Sequence, residues 1–138
     1  MSYGTTRDEY LTSTVMSASP AALLIMLYDR AILDVRRAEL EADGNADALK
    51  ISNHLIHAQD IVTELINSLD VSVWDGGRQL QALYLHLYSA LLAANVSRNA
   101  EEMRECREIL EELRATWSEA AKRTADQTPV EAGTLGVG

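Results

Sequence analysis

His54, His57 and Asp60 follow one another at intervals of three residues, so on a helix their side chains lie close together, and imidazoles with a carboxylate can bind a transition metal. The set is incomplete. The sequence contains no Glu-x-x-His pair of the kind that ligates di-iron centres in helical bundles, no Cys-x-x-Cys and no His-Glu-x-x-His. The three residues read as polar groups at the edge of a helical face, with a metal site as the alternative. Cys106, the only cysteine, falls on an apolar stripe where cysteine behaves as a small hydrophobe, and no neighbouring base marks it as a nucleophile. Gly76-Gly77 lacks the phosphate-loop pattern and reads as a turn. Asp29, next to Tyr28 near a helix start, is either a functional carboxylate or a residue favoured there by the helix dipole. No catalytic constellation, metal site or cofactor is assigned, and the chain is read as a binding protein rather than an enzyme.

The elements that carry these residues are helical. The chain has 138 residues, no Phe and only two prolines, a size for one core and a composition that favours helices. Ser19-Pro20 predicts a helix start, with serine as N-cap and proline at the first helical position. The first helix is expected from Pro20 to about Ala42, ended by Asp43-Gly44-Asn45. A second is expected from about Asp47 to Leu69, a third from about Arg78 to Val96, and a fourth from about Ala100 to Lys122. Short connections imply an all-α, antiparallel up-and-down four-helix bundle over residues 19–123. Residues 1–18 form an N-terminal arm in this reading, and 124–138 a disordered tail rich in Thr, Gly and small residues.

A formal charge of −9 speaks against a nucleic-acid surface and against adhesion to anionic membranes. No apolar run approaches the roughly 20 residues of a membrane span, and the first residues lack the pattern of a secretory signal. With a single cysteine, these features place the protein in the cytoplasm as an expectation.

Three of the helices carry more apolar surface than a bundle core requires. On the first, Leu24, Leu27, Tyr28, Ala31, Val35 and Ala38 mark a core face, while Met26, Leu33 and Leu40 recur every seven residues on roughly the opposite side. On the third, Leu80, Leu83, Tyr84, Leu87, Tyr88 and Leu91 form the stripe and Leu85 and Leu92 lie off it. Leu49 and Ile56 repeat the seven-residue spacing on the second helix. A helix apolar on two sides must be covered on two sides. Periodicity leaves open whether the cover is a foreign helix, the N-terminal arm, or another copy of the chain in a homo-oligomeric bundle.

Residues Tyr10 and Val15, then Ala18-Ser19-Pro20, Leu24 and Met26-Leu27-Tyr28-Asp29, resemble the start of the FliS family of flagellin export chaperones. Ala58-Gln59-Asp60-Ile61, Gly76-Gly77, Leu83-Tyr84, Leu87-Tyr88, Ala94-Asn95 and Thr116-Trp117 continue the resemblance in order. It implies a monomeric bundle that binds the C-terminal region of flagellin one to one, prevents premature polymerisation and presents it for type III export. The export gate protein FlhA and the anti-sigma factor FlgM are further partners that it suggests. Tyr10 and Val15 would belong to an arm that occupies part of the client site. Tyr28 and Asp29 match the family triplet, with either client contact or packing as their role. With Met26, Leu33, Leu40, Ile56, Leu85 and Leu92, these residues are the expected partner-binding set.

Overall fold

A computed structural model of the chain describes residues 19–72 and 75–137, with side chains described to residue 123. Tyr10 and Val15, expected in the arm, lie outside the described residues. The described residues form four helices: α1 Pro20–Asp43, α2 Ala48–Ser68, α3 Gly77–Ser97 and α4 Ala100–Val137.

Local chemistry sets each start. Ser19 Oγ accepts the Ala22 N–H at 3.2 Å, and Pro20 occupies the first turn, where its missing N–H costs nothing. Asp47 Oδ1 accepts from the N–H groups of Leu49 and Lys50. Asn99 Oδ1 caps α4 by accepting from Glu101 and Glu102, after Arg98 has turned the chain in the left-handed region at φ 58°. At the head of α3 a glycine is required. A Cβ on Gly77 would stand 2.8 Å from Val71 Cα, a clash with backbone rather than with a side chain that can swing away. Gly77→Ala should therefore lower stability by about 1–3 kcal/mol, read as an earlier midpoint in urea at unchanged slope.

The helices form a ring. α1 packs on α2 and α4, and α3 packs on α2 and α4, so α1 and α3 occupy opposite corners. Joined by short links, ring neighbours run antiparallel, as the pairs Glu39–Arg107 and Asp29–Arg114 show for α1 and α4. The expected up-and-down four-helix bundle is the observed fold. Its core joins Tyr28, Ala31, Val35 and Ala38 of α1 to Leu55, Ala58, Val62 and Leu65 of α2, Leu87 and Leu91 of α3, and Met103 and Leu110 of α4. The alanines of α1 let its backbone approach both neighbours closely.

The trace of α4 continues to Val137, beyond the Lys122 end read from periodicity. Trp117 is the most C-terminal partly buried hydrophobic packed on the core among the described residues. The core contribution of α4 thus falls within the predicted span. Among the described residues no helix is long and apolar enough to cross a membrane.

Candidate functional site

The seven-residue seams lie on the outside of the bundle. Met26, Leu33 and Leu40 are exposed on α1, Leu49 and Ile56 on α2, and Leu85 and Leu92 on α3, with exposures from 37% at Met26 to 70% at Leu49. These side chains bury little in the fold, so they remain available to another polypeptide.

On α2 and α3 they converge. Asn95 Nδ2 donates to Ser52 Oγ at 3.2 Å and marks where the two antiparallel helices meet. Leu49 and Ile56 sit within about 60° of Ser52, on the side away from the core. Leu85, Tyr88, Leu92 and Val96 hold the matching position beyond Asn95. The result is an apolar groove along the outer lip of the α2–α3 seam. Helix α3 contains no Asp or Glu, so its lip carries no carboxylate to desolvate, and exposed Asp60 on α2 and Arg78 on α3 are the charged groups beside the apolar line. Tyr88 and Val96 extend the expected set. Tyr88, expected on the core stripe, is 37% exposed, because its position four residues after buried Tyr84 turns it past the core edge.

The α1 stripe is chemically different. Met26, Leu33 and Leu40 run single file, with Arg30 and Arg37 along one edge and Asp29 and Arg36 along the other, all of them exposed. Asp29 is held by Arg114 and Arg36 lies 3.7 Å from Glu111, while Arg107 joins Glu39 and Glu111. These ion pairs fasten α4 to α1.

Tyr28, expected in the partner-binding set, offers no surface to a partner. It is fully buried, and its hydroxyl meets that of Tyr84 at 2.5 Å across the diagonal of the bundle. The Trp117 indole N–H, a donor only, also reaches this pair. Of its two readings, packing is the one that applies, because a tyrosine at this helical position points into the core and its hydroxyl needs a buried partner. Burial, reinforced by Tyr84, pushes the Tyr28 hydroxyl well above its ordinary 10.0, and burial raises Tyr84 as well. A raised folded-state value means that the protonated pair contributes its full stability below pH 10 and loses it as pH rises further. Tyr28→Phe should cost about 1–2 kcal/mol at neutral pH and flatten the stability loss above pH 10, both measurable by urea unfolding across pH.

The histidines separate. His57 Nδ1 pairs with Asp34 Oδ2 of α1, a carboxylate only 1% exposed, and Arg30 Nε lies 3.3 Å from the other oxygen. His57 thus fastens α2 to α1 rather than joining His54 and Asp60. Asp34 was not anticipated: it sits three residues from Ala31 and four from Ala38 on the core face, and a carboxylate there is sustainable only with cationic or hydrogen-bonding partners. Among the described residues no group of three or more His, Cys, Asp or Glu is arranged to hold a metal. Burial and the nearby Glu105 and Glu102 raise the Cys106 thiol to about 11, which leaves it protonated and unreactive near neutrality.

Residues 3–124 match the family described as "Flagellar protein FliS". Over 111 residues the chain is 28% identical to the flagellar secretion chaperone FliS of Bacillus subtilis (strain 168), spanning 80% of this chain and 82% of the relative.

Proposed function

The chain belongs to the FliS family, and from that premise we propose that it is a flagellar secretion chaperone whose client is the C-terminal region of flagellin. The role is binding, not catalysis: the chaperone covers apolar helices of the client in the cytoplasm, prevents their premature polymerisation and delivers them to the type III export apparatus, one chaperone per client. The observation that carries this reading is the exposed apolar line of α2 and α3, left outside the bundle's own core.

A helix laid in that groove exchanges hydrated leucine surface for leucine-to-leucine contact, at about 25 cal/mol for each Å² removed from water. Because a client segment must be ordered as it binds, a single contact is not enough, and a long surface is needed. The α1 stripe supplies a second stretch, which keeps Met26, Leu33 and Leu40 in the proposed contact set beside Ile56, Leu85 and Leu92. Tyr10 and Val15 are assigned to an arm that shares the client site, and FlhA and FlgM to later contacts in export.

Calorimetric titration of the full chain with a C-terminal fragment of flagellin from the same cell tests the proposal. Saturable one-to-one binding with a negative heat-capacity change is expected. Absence of binding at micromolar concentrations would remove flagellin as the client. A chaperone dimer that persists in light scattering after client addition would point to self-association instead.

A further inference from the structure

We propose that the α1 stripe is a second seat with its own chemistry: it takes an amphipathic helix of the client whose apolar residues are bordered by carboxylates. The inference rests on the client reading above, and it names what that client must present to α1.

The argument begins with charge. The protein carries −9 overall, yet the border of Met26, Leu33 and Leu40 is rich in arginine. Arg30 and Arg37 are seven residues apart, in step with Met26, Leu33 and Leu40, and flank the middle of an apolar line that runs about 21 Å, with Glu41 following on the same edge. Arg30 is 51% exposed although it also reaches Asp34. Arg37 is exposed and has no carboxylate partner among the described residues. The α2–α3 groove, with Asp60 on one lip and Arg78 on the other, has no such arginine row, so the two surfaces select different helices.

Charge also argues against a second copy of this chain on the stripe. If two α1 helices paired antiparallel about Leu33, Asp29 would meet the other copy's Arg36 on one edge, but Arg30 and Arg37 would face each other on the other. If they paired in parallel, Arg36 of one copy would face Arg37 of the other. Either symmetric arrangement places arginine against arginine as the stripe is buried, where like charges are most costly. A foreign helix with Glu or Asp every seven residues, beside its apolar line, satisfies the same edge without repulsion. It gives Arg37 the partner it lacks.

Two synthetic helical peptides of 18 residues, identical in their apolar line and edged with Glu in one and Lys in the other, provide the probe. Anisotropy titrations with the full chain at low salt should show the Glu-edged peptide binding at least tenfold tighter, with the gap narrowing as salt is raised. Leu33→Glu should abolish that binding and Leu92→Glu should leave it intact. Arg37→Glu should invert the preference, and Arg30→Gln, which leaves His57 on Asp34, should weaken it. The flagellin fragment should displace the Glu-edged peptide, and should itself bind Arg37→Glu about tenfold more weakly with a smaller salt dependence.

Equal binding of the two peptides, or loss through Leu92→Glu rather than Leu33→Glu, would overturn the proposal. Binding that flagellin does not displace would show that the occupant is not the client. A dimer removed by Leu33→Glu would show that it is a second copy. If flagellin fails to bind wild type at all, the client reading falls and this seat loses its proposed occupant, whereas the peptide pair still reports the edge chemistry separately.

Discussion

Leu92→Glu is expected to lower affinity for the flagellin C-terminal fragment by roughly 100-fold, while the variant keeps wild-type helicity and unfolding midpoint. The two halves of this expectation have separate causes. Leu92 is half exposed in the free bundle, so its replacement removes little internal packing, and α3 has no acidic residue for the new carboxylate to repel. In the proposed complex the same position lies beneath a client helix. There the variant forgoes about 1–1.5 kcal/mol from covering the other half of the leucine, and it desolvates a charge without a partner. A combined loss of about 3 kcal/mol corresponds to the stated factor. Calorimetry against the flagellin fragment, with circular dichroism as the control, decides it. An unchanged affinity would move the client off the α2–α3 groove, and a fall in helicity equal to the fall in binding would show that Leu92 is a core residue.

Leu110→Glu should do the reverse and unfold the bundle. Leu110 is completely buried on α4, within the core that α1 lines with Tyr28, Ala31, Val35 and Ala38. Truncating a leucine in such a place costs about 2–5 kcal/mol by itself. A carboxylate adds several more, since no cationic group shares that part of the core to compensate it. The total is on the order of the whole stability of a domain of this size. Far-ultraviolet circular dichroism at neutral pH should therefore report loss of the cooperative transition, whereas Leu110→Ala should keep the transition at a lower midpoint. A Glu variant that folds cooperatively would show that α4 presents a different face to the core.

The contrast between Leu92 and Leu110 was readable in the sequence because an α-helix converts spacing into direction. Met103, Cys106, Leu110, Leu113 and Trp117 advance by three and four and so share one face, while Leu85 and Leu92 differ by seven and fall off their helix's stripe. Helix starts were equally legible, because Ser19-Pro20 and Asp47 perform capping chemistry that needs only neighbouring backbone. Tyr88 is ambiguous by spacing. It is three residues after Leu85 and four before Leu92, which is as good a helical relation to the outer seam as its relation to Tyr84 is to the core.

Other parts of the site depend on tertiary contacts that spacing does not encode. Asp34 can be buried because His57, 23 residues away, reaches it from another helix. The convergence of Ile56 with Leu92 in one groove depends on the order of the helices around the ring, which short links restrict but do not dictate. Asp29 illustrates the same limit, since its position suggested dipole stabilisation while its partner, Arg114, lies 85 residues along the chain.

The hydroxyl contact between Tyr28 and Tyr84 has a bearing on how cargo would leave. It ties together helices that are neighbours neither in sequence nor around the ring, and Trp117 brings α4 into the same knot. A barrel cross-braced in this way does not spread its staves to take in or expel a passenger, because separating them strands buried polar groups at about 1–3 kcal/mol each. Hand-over then becomes an exchange on a stationary deck. A client seated on the exposed leucines would leave a surface that keeps its shape, so its release would be read as loss of surface contacts and not as an opening of the bundle.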